Sequence, residues 1–152
     1  MLHYPEEENW KLETNFENDQ LTMMELVRNN ETLENWTEIA TTKAFKGAIN
    51  TDLEETMNFT FKQLNELCPK AELTFIEKDL DTKFPWIIFT IECPKYKDDK
   101  TAESQLWYMI QGKTSLYSSF RAIRSAGIPE ATRQKWIEFF KSGKIIYMDE
   151  GK

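Results

Sequence analysis

One histidine, two cysteines and five glycines in 152 residues leave little material for most catalytic and cofactor chemistry. His3 lies in a polar N-terminal stretch expected to fray. A Ser/His or Cys/His relay, or a His-based metal site, would need that residue inside the fold. Gly47, Gly112, Gly127, Gly143 and Gly151 are scattered, which excludes a glycine-rich phosphate loop. Two cysteines are too few for a zinc site and their spacing is not Cys-x-x-Cys. No metal and no cofactor is therefore expected. No stretch approaches the roughly 18 apolar residues of a membrane span. The start, Met1 to Glu8, lacks a basic region followed by an apolar one, so no signal peptide is read there. That start fits either a cytoplasmic protein or a mature form with Met1 added for expression.

Charge of one sign is also scarce. Lys and Arg number 19 against 26 Asp and Glu, a formal net charge of -7 and the wrong sign for a phosphate backbone. Nucleic acid is excluded as a partner. The charge is unevenly spread: residues 113–152 hold eight basic and four acidic side chains (8 - 4 = +4), leaving 11 - 22 = -11 for residues 1–112. Such a division can orient a charged partner or simply mark two solvated faces. What the chain does have is aromatic mass. Ten Phe and five Trp, with 40% hydrophobic residues, are enough for the core of one domain of this length.

Residues 1–8 read as a flexible stretch and 9–148 as a single α+β domain. Trp10, Leu12, Thr14 and Phe16 alternate on one face of a first strand, 9–18. Leu21 to Arg28 and Trp36 to Phe45 follow as strands. Thr51-Asp52-Leu53-Glu54 has the form of a capping box, with Thr51 as the cap. Behind it Leu53, Met57, Phe61, Leu64 and Leu67 recur at helical spacing until Cys68-Pro69. Ala71–Glu77 reads as a strand, residues 78–83 as a charged turn, and Trp86–Cys93 as a central strand apolar on both faces. Ser104–Gln111 and Ser115–Arg124 are two more strands. Pro129 opens a last helix, Gly143 is expected to cap it in the left-handed conformation, and 144–148 reads as a short edge strand. The order βββ-α-ββββ-α predicts a largely antiparallel sheet covered by two main helices.

Three groups of residues invite a chemical reading. Glu77, Asp79 and Asp81 form the densest carboxylate run, which a hydrolase would need partly desolvated and which a solvated turn would not. Cys68 and Cys93 are either two buried thiols or one disulfide. Each is followed by Pro and ends an element, which places them at one end of the domain and favours the disulfide. A bridge implies an oxidising compartment. Trp107, Tyr108, Tyr117, Phe120 and Trp136 cluster in the basic last third. Trp107, Tyr117, Arg121 and Arg124 are the candidate lining of a groove for an acidic or peptide ligand, against the simpler reading of the aromatics as core.

Several stretches together resemble a family: Glu34-Asn35-Trp36-Thr37-Glu38, the pairs Cys68-Pro69 and Cys93-Pro94, and Glu103 with Ile110-Gln111-Gly112-Lys113, Leu116-Tyr117, Arg121-Ala122 and Arg124. The resemblance, over about residues 20–140, is to small uncharacterised bacterial exported proteins, often lipoproteins, that look like the Mog1/PsbP-type α/β/α sandwich. It implies a periplasmic or envelope location, with a lipid anchor where an upstream signal has been removed. It assigns no catalytic residues. The expected function is a non-catalytic binding or accessory protein of the bacterial cell envelope, its partner another protein. The alternatives are an inhibitor or immunity protein against a basic toxin, or a hydrolase using the Glu77/Asp79/Asp81 carboxylates.

Overall fold

The computed structural model describes residues 4–143. A 3₁₀ turn, Glu6–Glu8, leads into β1 (Trp10–Glu17), β2 (Leu21–Arg28) and β3 (Glu38–Lys46). Helix α1 (Leu53–Leu67) follows, then β4 (Glu72–Asp79), β5 (Trp86–Cys93), β6 (Glu103–Gln111), β7 (Ser115–Ile123) and α2 (Glu130–Lys141). The strands form one seven-stranded sheet in the order β1-β2-β3-β7-β6-β5-β4. Every neighbouring pair is antiparallel. The fold is α+β, as the element order implies.

Because side chains alternate along a strand, the register assigns each residue to a face. Ile87, Phe89 and Ile91 of β5 join Met109 of β6 and Leu53 and Met57 of α1 in one apolar cluster. Ile88, Leu106, Tyr108 and Ile110 point the other way and pack with Trp136, Ile137 and Phe140 of α2. The two helices thus lie on opposite faces, and β5 is apolar on both sides because it is buried on both. By position β5 is one strand in from the β4 edge; β7 is the middle strand. The main helix contacts are with β5 and β6. Helical cover is therefore concentrated on one half of the sheet rather than spread over all of it. Over the β1–β3 wing, the α1 face carries Leu33 and Trp36 from the 29–37 loop against Val27, Ile39 and Ala122.

Three local expectations change. Asp52, not Thr51, caps α1, its carboxylate accepting the Glu55 N–H at 3.1 Å. An ionised acceptor in the first turn also meets the positive end of the helix dipole. A β-bulge between Leu12 and Thr14 breaks the alternation of β1. Trp10 and Leu12 consequently share the α2 face with Leu26, whereas Thr14 and Phe16 lie on the α1 face opposite Glu25 and Met23. At the end of α2 the cap is Ser142 in right-handed conformation, its N–H returning to Glu138 O, in place of a left-handed Gly143. The strand read at 144–148 and His3 lie outside the described residues.

Candidate functional site

Arg121 stands on β7, and on the α2 face its cross-strand neighbours are Ala40 of β3 and Leu106 of β6. The small Ala40 leaves room for the guanidinium to run along the sheet toward β2. The side chain is 1% exposed. Its Nη2 donates to Glu8 Oε1 at 3.1 Å and to Glu38 Oε1 at 3.0 Å. Glu38 is shared, since Arg28 Nη2 donates to its other oxygen at 2.6 Å. Glu8 is shared as well: Lys135 of α2 lies 3.2 Å from Oε2, and the Trp10 indole N–H donates to Oε1 at 2.8 Å. Two carboxylates thus serve three cations.

Aromatic rings enclose this cluster. The Arg121 guanidinium lies 5.0–5.4 Å from the ring centroids of Tyr4, Trp10, Trp136 and Phe139. Arg28 lies 4.2 Å from Trp10. Ring quadrupoles favour a cation more strongly where water is excluded. Burial alone would raise the Glu8 pKa. The Trp10 N–H, Arg121 and Lys135 outweigh it and hold the carboxyl below its ordinary value. For Tyr4 burial wins, and its hydroxyl is pushed well above the usual phenol range. The chemistry on offer is recognition of a carboxylate beside aromatic rings. Glu8 stays ionised, which makes it a poor proton donor near neutrality.

A second polar chain runs along the α1 face. The Trp107 indole N–H donates to Gln105 Oε1 at 2.7 Å, and the Gln105 amide donates to Glu103 Oε2 at 2.6 Å. Arg124 lies 3.8 Å from Glu103 and 3.8 Å over the Trp36 ring. Burial raises the Glu103 pKa against the opposing pull of the Gln105 amide and Arg124. Tyr96 is raised as well, first by burial and then by the nearby Glu103.

The four candidate groove residues therefore divide between faces. Trp107 and Arg124 lie on the α1 face, Tyr117 and Arg121 on the α2 face. Trp136 joins Arg121, while Phe120 packs on Trp107 with centroids 4.5 Å apart. Glu77 is held by Lys141 at 2.9 Å, and Asp79 caps the Asp81 N–H at 3.1 Å in an exposed turn. Among the described residues the carboxyl with a raised pKa is Glu103 instead. Residues 4–8, read from sequence as flexible, place Tyr4 and Glu8 in the Arg121 cluster. Glu8, Arg28 and Glu38 were not singled out from the sequence. The available signal was an arginine inside the strand read at Ser115–Arg124, where a buried guanidinium demands a carboxylate from somewhere.

Cys68 and Cys93 form a disulfide, with Cα atoms 6.2 Å apart, joining the end of α1 to the end of β5. Among the described residues no helix is long and apolar enough to cross a membrane, and no group of His, Cys, Asp or Glu is placed to hold a metal. No protein-family model matches the chain, and no curated protein matches it significantly.

Proposed function

We propose that this chain is a non-catalytic binding or accessory protein of the bacterial envelope, built as a Mog1/PsbP-like sandwich and acting through protein–protein contacts. The observation that carries the proposal is an apolar patch on the α1 face of the wing. Phe16 of β1 pairs across to Met23 of β2, and Leu21 of β2 pairs across to Phe45 of β3. Phe16 is 45% exposed and Phe45 37%. These four side chains are neighbours on one surface, and contiguous apolar area at a sheet surface marks a contact site more often than single exposed residues do. The partner is a protein whose own apolar side chains fill this face. The Cys68–Cys93 bridge supports an oxidising compartment, since such bonds rarely persist in a reducing cytosol.

Site-specific photocrosslinking in the native host tests the reading. A crosslinker at position 16 or 45 is expected to yield one discrete protein adduct, and one at the solvent-facing Lys62 of α1 to yield none. Identical adducts from both surfaces, or no adduct from the patch, would overturn it.

A further inference from the structure

The segment before β1 is held unlike the rest of the molecule. Tyr4 belongs to none of the apolar core clusters of the described residues. Two of the segment's backbone hydrogen bonds are internal, Glu8 N–H to Pro5 O and Asn9 N–H to Glu6 O. Its links to the sheet are the Asn29 N–H on Asn9 O, the Arg28 guanidinium on Glu8 O, the Trp10 indole N–H on the Glu8 carboxylate, and the contacts of Tyr4 and Glu8 with Arg121. Asn9 at φ 57 forms the joint between this strap and β1.

Lifting Tyr4–Glu8 away in thought leaves a defined vacancy. Arg121 and Arg28 would then share the single carboxylate of Glu38, with Arg121 beneath the rings of Trp136 and Phe139 and Lys135 left without Glu8 at the exposed margin. That is a surplus of positive charge in an apolar enclosure, where an unpaired cation is costly and a carboxylate is strongly favoured. Arg121 Nε is buried and finds no hydrogen-bond partner among the described residues, so the strap does not exhaust the guanidinium's donors.

We infer that this surface is a receptor for an acidic, aromatic peptide segment, and that Tyr4–Glu8 occupies it in cis. The ligand class follows from the occupant: a carboxylate received by Arg121, Lys135 and the indole N–H of Trp10 in β1, preceded four residues earlier by a ring that packs on Phe139. A protein partner carrying such a segment displaces the strap. The inference extends the protein-binding reading to a second surface, on the face opposite the apolar patch.

The probe is a synthetic peptide with the sequence of residues 4–8, blocked at both ends and titrated calorimetrically into the full chain. The unsubstituted chain is expected to bind it weakly, because its site is already filled. The full-length Glu8→Ala chain is expected to bind roughly tenfold more tightly, as the competing occupant is weakened. Adding Lys135→Glu, an exposed helix substitution, should reduce that affinity again. A peptide with Gln in place of the Glu8-equivalent residue should lose most of it. Three outcomes overturn the inference: no gain in the Glu8→Ala chain, equal binding of the Gln peptide, or loss of a native thermal transition in the Glu8→Ala chain. The last would make the strap an obligate part of the fold. Because the peptide site and the photocrosslinked patch lie on opposite faces, either proposal can fail while the other stands.

Discussion

The two halves of the sheet solve the same problem with different materials. In the β4–β6 half, α1 and α2 bring Leu53, Met57, Trp136, Ile137 and Phe140 onto opposite faces. Between them β5 is apolar on both sides. In the wing, the α2 face is met by a short strap and filled with Arg28, Arg121, Glu8 and Glu38, enclosed by rings. Helices deliver a broad apolar surface. A strap of a few residues cannot, so charge pairs and aromatic rings take its place. Apolar burial tolerates small displacements, whereas a buried ion pair depends on each partner staying where it is. The wing is therefore the half whose structure one substitution undoes in the most diagnostic way.

The sharpest break in the comparison comes from one truncation in each half. Phe89→Ala should cost about 3–5 kcal/mol through lost burial and a cavity. Arg121→Met should cost a similar ~3–5 kcal/mol by removing two buried charge-assisted hydrogen bonds, to Glu8 and to Glu38. Denaturant unfolding at two pH values tells the causes apart. Acid should recover part of the Arg121→Met loss as Glu8, short of one cation, takes up a proton, and none of the Phe89→Ala loss. Next in size is the disulfide. Opening it should remove roughly 3–4 kcal/mol by the loop-entropy relation, read as a lower unfolding midpoint in reductant.

The two buried carboxyls should show opposite pH signatures. Glu8 has a lowered pKa in the folded chain, so its contribution is present above the unfolded value near 4.5 and lost as pH falls through the folded one. Glu103 has a raised pKa. It contributes below the ordinary carboxylate value, and that contribution is lost as pH rises through the folded value. Thermal melts across the acidic range should show Glu8→Gln flattening the acid limb and Glu103→Gln removing a decline on the other side. The smallest effect belongs to the exposed patch. Phe16→Ser should change stability by no more than about 0.5 kcal/mol while abolishing the position-45 crosslink adduct. A large loss of stability there would mean that the patch serves the fold rather than a partner.

Much of the scaffold was legible because it rests on local patterns. Leu53, Met57, Phe61 and Leu64 mark α1 by spacing alone, and the apolar run from Trp86 marks a strand buried on two faces. Cys68 and Cys93 could be paired because each closes an element that the pattern already located. The bulge in β1 was not legible, since an extra residue leaves composition unchanged and only shifts the faces of Thr14 and Phe16 relative to Trp10. Asp52 displaced Thr51 as the cap by a difference of one position that either side chain could satisfy.

The candidate site was hidden for a different reason. Arg121 could be named from the sequence, but its partners Glu8 and Glu38 are 113 and 83 residues away. No spacing rule reaches that far. The same holds for Trp107 and Arg121, which looked like one groove and lie on opposite faces because they differ by an even number of residues across a turn that inverts the register. Taken alone, the scarcity of histidine, cysteine and glycine, the acidic balance, the α+β order and the two helices belonged to the sequence, for composition and short-range periodicity act within a few residues. Strand order, facial assignment and the pairing of a strap carboxylate with a buried arginine belonged to the tertiary structure alone. Those depend on which distant segments meet, and that is decided by the summed burial and charge pairing of the whole chain.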